Sequence, residues 1–417
     1  MTSVSTRKPS MWIWSMVNRS TAFTVFVLAS IILLSAAPAW AYPKVRLTNL
    51  TRWNANGEVN YASKLCRNDK FVGLHPGDTW VPGPARGGCL ITWIRVTLPG
   101  GPAVNQYSSS GTSYSEFFIS PSGSGYQVFS SHETPTGSRA QPQVTPPQFF
   151  NIAHMVNTAQ AVDWALSKGA NALEMDLRFH ANGVPYQFHH GGFCDCVCRV
   201  KAGDHVCKHL FQQCDAHSDL TAQLNHVASK ASQVAMLVID SKVDDPQLSQ
   251  QAQNTAGVLV VQKLEQELFS KGYRGIAVIS APKWSYSAYL INAALVASHS
   301  PYKDQIYFGV DMDNGDVEGA RVTLNNLWRN LGSPLSVYGS GISVCLAGDF
   351  YGETMLAGWY QAQGRIRLVN IWTLDNPDSM RRYIWAGARG VMTNQPAALA
   401  GVVRELHMTL AQPGYRP

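Results

Sequence analysis

Two acids two residues apart, Glu174 and Asp176, sit in the run Ala172-Leu173-Glu174-Met175-Asp176, and a third, Asp240, ends the apolar run Met236-Leu237-Val238-Ile239. On an extended chain residues i and i+2 share a face, so Glu174 and Asp176 point the same way. Like charges confined together repel and call for a cation. An all-oxygen ligand set suits Mg²⁺ or Ca²⁺ rather than zinc. Taken alone, that pair could equally be solvated at a strand edge. Asp240 changes the balance, because Lys242 follows it at i+2. Asp240 could complete a three-carboxylate metal site, and Lys242 could hold a phosphate oxygen as a point charge. His154 closes the apolar run that begins at Phe149, and His190 lies in Tyr186-Gln187-Phe188-His189-His190-Gly191-Gly192. Two imidazoles flanking a metal-bound phosphodiester supply a general base and a general acid. Trp372, in Ile371-Trp372-Thr373-Leu374-Asp375, offers its π-face to a cationic group or packs in a core. Asp375 and Asn394 are placed to orient the catalytic groups or to hydrogen-bond substrate.

Residues this far apart need a scaffold that gathers strand ends. Short apolar runs at 149–156, 172–179, 234–242, 275–281, 306–311, 335–342, 366–374 and 389–394 read as strands. Helical stretches at 158–168, 247–271, 286–299, 316–330, 377–387 and 396–410 lie between or after them. Eight strands with helical crossovers predict an α/β fold, a (β/α)8 TIM barrel over 149–417. Its active site belongs at the C-terminal ends of the strands, where the acids and histidines fall. Residues 42–131 alternate apolar and polar, as in VRLTNLTRW and LITWIRVTL, with turn signals at Asn56-Gly57, Pro76-Gly77 and Pro99-Gly100-Gly101. They predict a small all-β, sandwich-like accessory domain. Residues 132–148, with four prolines among Thr, Ser and Gln, have the composition of a linker.

The first 41 residues carry Arg7, Lys8 and Arg19, an apolar stretch at 22–34 and a small-x-small pattern at Ala39-Trp40-Ala41. They read as a secretory signal peptide with the mature start near Tyr42; an uncleaved anchor is the alternative. The formal charge of +6 falls to +3 beyond them, which is no footprint for nucleic acid. Export makes disulfides the expected state of the eight cysteines. Cys66 and Cys89 are the only two in 42–131 and are expected to staple that domain. Cys194, Cys196, Cys198, Cys207 and Cys214 crowd one segment after His190, and Cys345 stands apart. With His205 and His209 the crowded segment could be read as zinc-binding, but its spacing is not a usual paired C-x₂₋₄-C pattern. Asp311-Met312-Asp313-Asn314-Gly315-Asp316 resembles a calcium loop with a misplaced glycine, and a strand-to-helix turn with a capping Asp accounts for it better.

The motifs HMVN (154–157), GANALEMD (169–176), HGGFCDC (190–196), LVIDSK (237–242), Cys345 after YGSGIS, WTLD (372–375) and VMTN (391–394) occur in one order. In that order they resemble the sphingomyelinase D/phospholipase D toxins of spider venoms and some bacteria, relatives of glycerophosphodiester phosphodiesterases. The resemblance covers nearly all of 149–396. It implies Mg²⁺ on Glu174, Asp176 and Asp240, catalytic roles for His154 and His190, and Lys242, Trp372, Asp375 and Asn394 around a phospholipid substrate. It implies a cyclic phosphate product, formed when the substrate's own hydroxyl attacks phosphorus, and a Cys196–Cys345 bridge, with Cys194 pairing to Cys198, Cys207 or Cys214.

The chain departs from the family in four places, the first being a loop over 190–214 richer in cysteine than expected. Asn370 stands where an aromatic usually precedes the strand-seven Trp by two, a tail closing the barrel base is not evident in 397–417, and residues 42–131 have no counterpart. A water-using glycerophosphodiester phosphodiesterase is the alternative enzyme; its usual Arg after the first His is Met155 here. A non-catalytic lipid- or glycan-binding barrel is the alternative from another class. The chain is expected to be a monomer acting at a lipid surface. Trp53, Trp80 and Trp93 raise lipid or glycan binding for the accessory domain, beside the plainer reading that they are core aromatics.

Overall fold

The computed structural model describes residues 42–83, 85–122, 125–133, 148–191, 216–312, 316–332, 335–343 and 348–417. Alternation sets the first part. Nine strands form, β1 (Arg46–Asn49), β2 (Ala55–Tyr61), β3 (Asp69–Leu74), β4 (Thr79–Trp80), β5 (Ile91–Thr97), β6 (Val104–Asn105), β7 (Tyr107–Thr112), β8 (Glu116–Ser122) and β9 (Gly125–Ser130). They make a five-stranded sheet, β4-β1-β8-β9-β6, and a four-stranded sheet, β3-β2-β5-β7. Leu47, Phe117 and Ile119 from the first sheet share one core with Val59, Phe71, Ile94 and Val96 from the second. Two sheets closing on one core are a sandwich. Cys66 and Cys89 are bonded.

From residue 148 the strands are β10 (Phe150–Ala153), β11 (Ala172–Phe179), β12 (Pro185–His189), β13 (His217–Asp219), β14 (Met236–Ser241), β15 (Ile276–Ala281), β16 (Ile306–Met312), β17 (Ser336–Gly341), β18 (Leu368–Trp372) and β19 (Gly390–Thr393). Eight of them, β10, β11 and β14 to β19, run parallel, and β10 pairs with both β11 and β19, which closes the ring. The sheet therefore has no free edge in the barrel. β12 and β13 form an antiparallel ribbon on the upper end of β11, an addition that the strand reading did not contain.

The period of two sorts the barrel side chains. Phe150, Ile152, Met236, Val238, Ile276, Val278, Val337, Leu368 and Met392 fill the interior. Their strand neighbours Ala153, Leu173, Leu237, Ala277, Phe308, Val369 and Val391 face the helices. One step beyond the apolar interior, the inward positions at the C-terminal strand ends are His154, Glu174, Asp176, Asp240, Ser280, Asp311, Asn370 and Asn394.

Five of the helices among the described residues start at side-chain caps. Thr158, Asp219, Ser249, Asp316 and Asn376 each accept a backbone N–H of the first turn. Two helices are absent from the sequence reading, Leu220–Ser229 and Tyr351–Ala362. In the second, every residue from Tyr351 to Tyr360 is buried, so it has no polar face and no 3.6-residue pattern. The accessory sandwich covers it. Gly77 lies against the Trp359 ring and Gly352 against the Glu116 carboxylate. Phe118, Phe129 and Leu50 of the sandwich join the barrel's outer apolar cluster. Arg382 donates to the Ser131 carbonyl, and Arg46 pairs with Asp316 at 3.6 Å.

A tail does close the barrel base, contrary to the sequence reading. The chain after the last helix pairs Phe149 with Leu410, and Asn171 Nδ2 donates to the Ala411 carbonyl at 2.8 Å. Tyr415 then packs beside Phe150 with ring centroids 6.1 Å apart. Scattered backbone bonds and one aromatic hold this tail, so it has no repeating pattern to recognise. Among the described residues no helix is long and apolar enough to cross a membrane.

Candidate active site

The three acids meet. One carboxylate oxygen from each of Glu174, Asp176 and Asp240 lies within 4.8 Å of the others. β11 and β14 are paired in register, Asp176 opposite Asp240, which sets this spacing. Glu174 and Asp176 are each 1% exposed. Met155 adopts a φ of 55° at the end of β10, and its N–H donates to Glu174 Oε2 at 2.7 Å. Glu174 Oε1 is buried and without a hydrogen-bond partner. Asn157 holds Asp176 at both ends, its Nδ2 donating to Oδ2 at 2.6 Å while its Oδ1 accepts from the Asp176 N–H at 2.9 Å. Asn157 has no task in the sequence reading. Its place three residues after His154 at a strand exit was the available signal.

Lys242 Nζ reaches Asp176 Oδ1 at 2.8 Å and Asp240 Oδ2 at 2.5 Å. Three carboxylates against one ammonium leave two negative charges uncompensated if all ionise. Burial, together with Asp176 and Asp240, pushes the Glu174 carboxyl well above the usual range. Burial also acts upward on Asp176, but the Lys242 ammonium, His190 and the bond from Asn157 outweigh it and hold that carboxyl low. Burial acts downward on Lys242, and the three acids outweigh it, raising its pKa. An orphaned Glu174 oxygen, three converging hard donors and a charge of −2 once all three acids are ionised fit a small divalent cation.

The two histidines face each other across this mouth, ring centroids 6.3 Å apart and planes at 83°. His154 is 6% exposed. Its Nδ1 meets Asn394 Oδ1 at 2.9 Å. Asn394 is fixed by Asp375, whose Oδ1 accepts from the Asn394 N–H at 2.8 Å and whose Oδ2 accepts from Nδ2 at 3.1 Å. With its amide nitrogen turned to Asp375, Asn394 offers its oxygen to His154, so the histidine donates from Nδ1. His190 Nδ1 likewise donates to the Gly191 carbonyl at 2.6 Å. In the neutral rings both Nε2 atoms then carry the lone pair.

The wall made by β15 to β18 holds a second polar group. Ser280 hydrogen-bonds Asp311, and burial, with Asp240 nearby, pushes the Asp311 carboxyl up to about 7. Asn370 is 1% exposed, and its Oδ1 has no partner. Trp372 lines the same mouth and its Nε1 is unpartnered. The sequence reading ends a strand at Asp311 and takes 311–316 as a strand-to-helix turn, giving the residue no task, although Tyr307, Gly309 and Asp311 continue one inward face. The structure thus brings His154, His190, Glu174, Asp176, Asp240, Lys242, Trp372, Asp375 and Asn394 to one end of the barrel. Cys194, Cys196, Cys198, Cys207, Cys214 and Cys345 lie outside the described residues.

This barrel with its acid and histidine mouth falls in the class of (β/α)8 phosphodiesterases of the phospholipase D type. Residues 146–412 match the model of the family described as dermonecrotic toxin SPH, and the chain belongs to that family. It is 27% identical over 268 residues to dermonecrotic toxin LiSicTox-betaID1 of Loxosceles intermedia, covering 61% of this chain and 82% of the relative. It is 28% identical over 275 residues to dermonecrotic toxin LafSicTox-betaIE2 of Loxosceles aff. spinulosa, covering 61% and 92%. Among solved structures it is similar to a putative glycerophosphoryl diester phosphodiesterase from Silicibacter pomeroyi, with 14% identity, a TM-score of 0.45, and 64% and 97% of the two chains covered.

Proposed function

We propose that this chain is a secreted, Mg²⁺-dependent phospholipase D-type enzyme that cleaves the head-group phosphodiester of sphingo- or lysophospholipids. The observation that carries the reading is the pair of histidines 6.3 Å apart beside three converging carboxylates, each ring with its Nδ1 already engaged. Glu174, Asp176 and Asp240 would hold Mg²⁺, which when bound supplies positive charge against a phosphoryl oxygen. One histidine takes the proton of the lipid's own hydroxyl through Nε2 as that oxygen bonds to phosphorus. The bond from phosphorus to the head-group oxygen breaks, and the other histidine, protonated, gives that oxygen its proton. The product is a cyclic phosphate plus the free head-group alcohol, and no water is consumed. Lys242 and Trp372 contact the substrate, while Asp375 and Asn394 orient His154.

The composition of residues 1–41 supports export, as does membership of a family whose relatives carry toxin names. In the accessory domain Trp53 packs edge-on to Tyr126, and Trp80 lies beside Phe71. Trp93 is the exposed one of the three, at 37%, and carries the Arg95 guanidinium over its ring at 5.4 Å from the centroid. A panel of sphingomyelin, lysophosphatidylcholine, ceramide phosphoethanolamine and glycerophosphodiesters tests the function. Turnover of the lipids with Mg²⁺, abolished by EDTA and by His154→Ala, is expected. Unchanged background rates in all three conditions would favour a non-catalytic barrel.

A further inference from the structure

We propose that the accessory sandwich docks the molecule on an anionic lipid surface through the turn 63–66, with Leu65 at its apex between Lys64 and Arg67, on the same side as the barrel mouth. The proposal gives a partner to a domain that takes no part in the reaction above. It uses the reading of a lipid substrate only for what the mouth does once the molecule is docked.

Residues 62–68 join β2 to β3. The Cys66 N–H donates to the Ser63 carbonyl at 3.0 Å, so Lys64 and Leu65 are the central pair of a β-turn. The Ala62 N–H is tied to the Leu90 carbonyl at 2.9 Å, and Cys66 is bonded to Cys89, so the turn is braced at both ends. Leu65 is 97% exposed. Turns favour Gly, Pro, Asn, Asp and Ser, so the turn has no need of this leucine, and the sandwich core does not contain it. Because the backbone is already fixed, burying the side chain in a bilayer orders little else. Residues 62–68 carry Lys64 and Arg67, both exposed, and no acid. Lys44 is exposed as well, two residues after Tyr42, whose N–H donates to the Gly87 carbonyl at 2.7 Å. Asp69, the acid nearest in sequence, is engaged by the Tyr61 hydroxyl at 2.6 Å. An apolar apex among bases complements anionic head groups over an acyl layer.

The turn lies at the mouth end of the molecule. Strand-to-helix loops of a (β/α)8 barrel sit at its mouth, and Asp316 and Asp349, each just ahead of a helix, belong to two of them. The sandwich meets both. Arg46 reaches Asp316, and His132 Nδ1 lies 3.8 Å from Asp349 Oδ2. The Tyr114 and His132 rings are 4.5 Å apart at their centroids. Arg86 donates to the carbonyls of Ser113 and Tyr114 and, at 3.5 Å, to that of Cys89, the partner of Cys66. The far end of β2 is set independently. Ala55 pairs with Leu74, three residues before Gly77, and Gly77 lies against Trp359 in the last turn of the helix Tyr351–Ala362, toward the base. β2 therefore runs from base to mouth and delivers residues 62–68 on the mouth side.

Sedimentation of the full chain with vesicles tests this, using phosphatidylcholine alone and phosphatidylcholine mixed with phosphatidylserine, in EDTA so that nothing is turned over. The wild type is expected to bind the mixed vesicles more tightly, and less so as salt rises. Lys64→Ala and Arg67→Ala are each expected to lower the partition coefficient about fivefold, and Leu65→Ser at least about tenfold. Thermal unfolding is expected to stay unchanged in all three, since the side chains are exposed. A wild type that stays in solution, equal binding with and without phosphatidylserine, or variants that bind as the wild type does would each overturn the proposal. With Mg²⁺ and a lysophospholipid in the mixed vesicles, Leu65→Ser is expected to lose turnover in step with binding; full turnover despite lost binding would overturn the placement beside the mouth. Because binding is read in EDTA, a failure of the phosphodiesterase reading leaves the sedimentation result standing.

Discussion

His154 is held by Asn394, and Asn394 by Asp375, so one histidine is set by two residues from the last two strand ends. The chain of bonds fixes which ring nitrogen is protonated, a task that neither residue performs on the substrate. Replacing such a partner typically costs 10–100-fold. Asn394→Ala is therefore expected to lower kcat by roughly that factor, to leave KM within a few-fold, and to move the histidine limb of the pH–rate profile. A fall in kcat with an unmoved pH profile would make Asn394 merely structural. Much of this was legible from residue spacing, because i and i+2 on a strand share a face and Glu174, Asp176, Asp240 and Lys242 obey it. What escaped were bonds that depend on chain exits. The φ of 55° at Met155 aims an N–H at Glu174, and Asn157 folds back onto Asp176. No periodicity announces either.

Among the elements, the helix Tyr351–Ala362 carries the most information. It is buried on the side where a barrel helix usually meets solvent, because the sandwich covers it. The same seam buries acids. Glu116 is pushed up to about 7 by burial and by Asp349 and Asp316, against the pull of Arg46. Glu353 is pushed up to about 8 by burial, Asp316 and Glu116, with Tyr338 bonded to it. Both carboxyls ionise more readily unfolded than folded. Their contribution to stability is complete below about pH 4.5 and is lost as pH rises through 7 and 8. The melting temperature is expected to fall between about pH 4.5 and 8 and to level off above, and Glu353→Gln to flatten that slope; an equal slope in the variant would refute the seam's part in it. Within the sandwich, Cys66–Cys89 closes a sequence separation of 23. Loss of both thiols by Cys66→Ala and Cys89→Ala should cost about 3 kcal/mol in denaturant unfolding. No change would mean that the bridge adds nothing to the fold.

At the scale of the whole molecule the sequence announced the barrel, because eight parallel strands buried on both faces are nearly continuous apolar runs. Seven of the eight match their strands to within about two residues at each end, and the first overran at its C-terminal end, where Met155 turns the chain. The closing of the base by 406–417 and the docking of the sandwich were not legible. Both rest on contacts between distant, irregular segments, such as Asn171 with Ala411 and Gly77 with Trp359. The molecule that results carries a polar mouth at one end, a sealed base at the other and a sandwich braced against one flank. The reaction proposed for that mouth is one in which the lipid's own hydroxyl displaces the head group. ³¹P NMR of the products from a lysophospholipid, followed from the first turnover with Mg²⁺, tests it most directly. A cyclic phosphate as the primary product, absent with EDTA, is the predicted result. An open monoester as the primary product would contradict it.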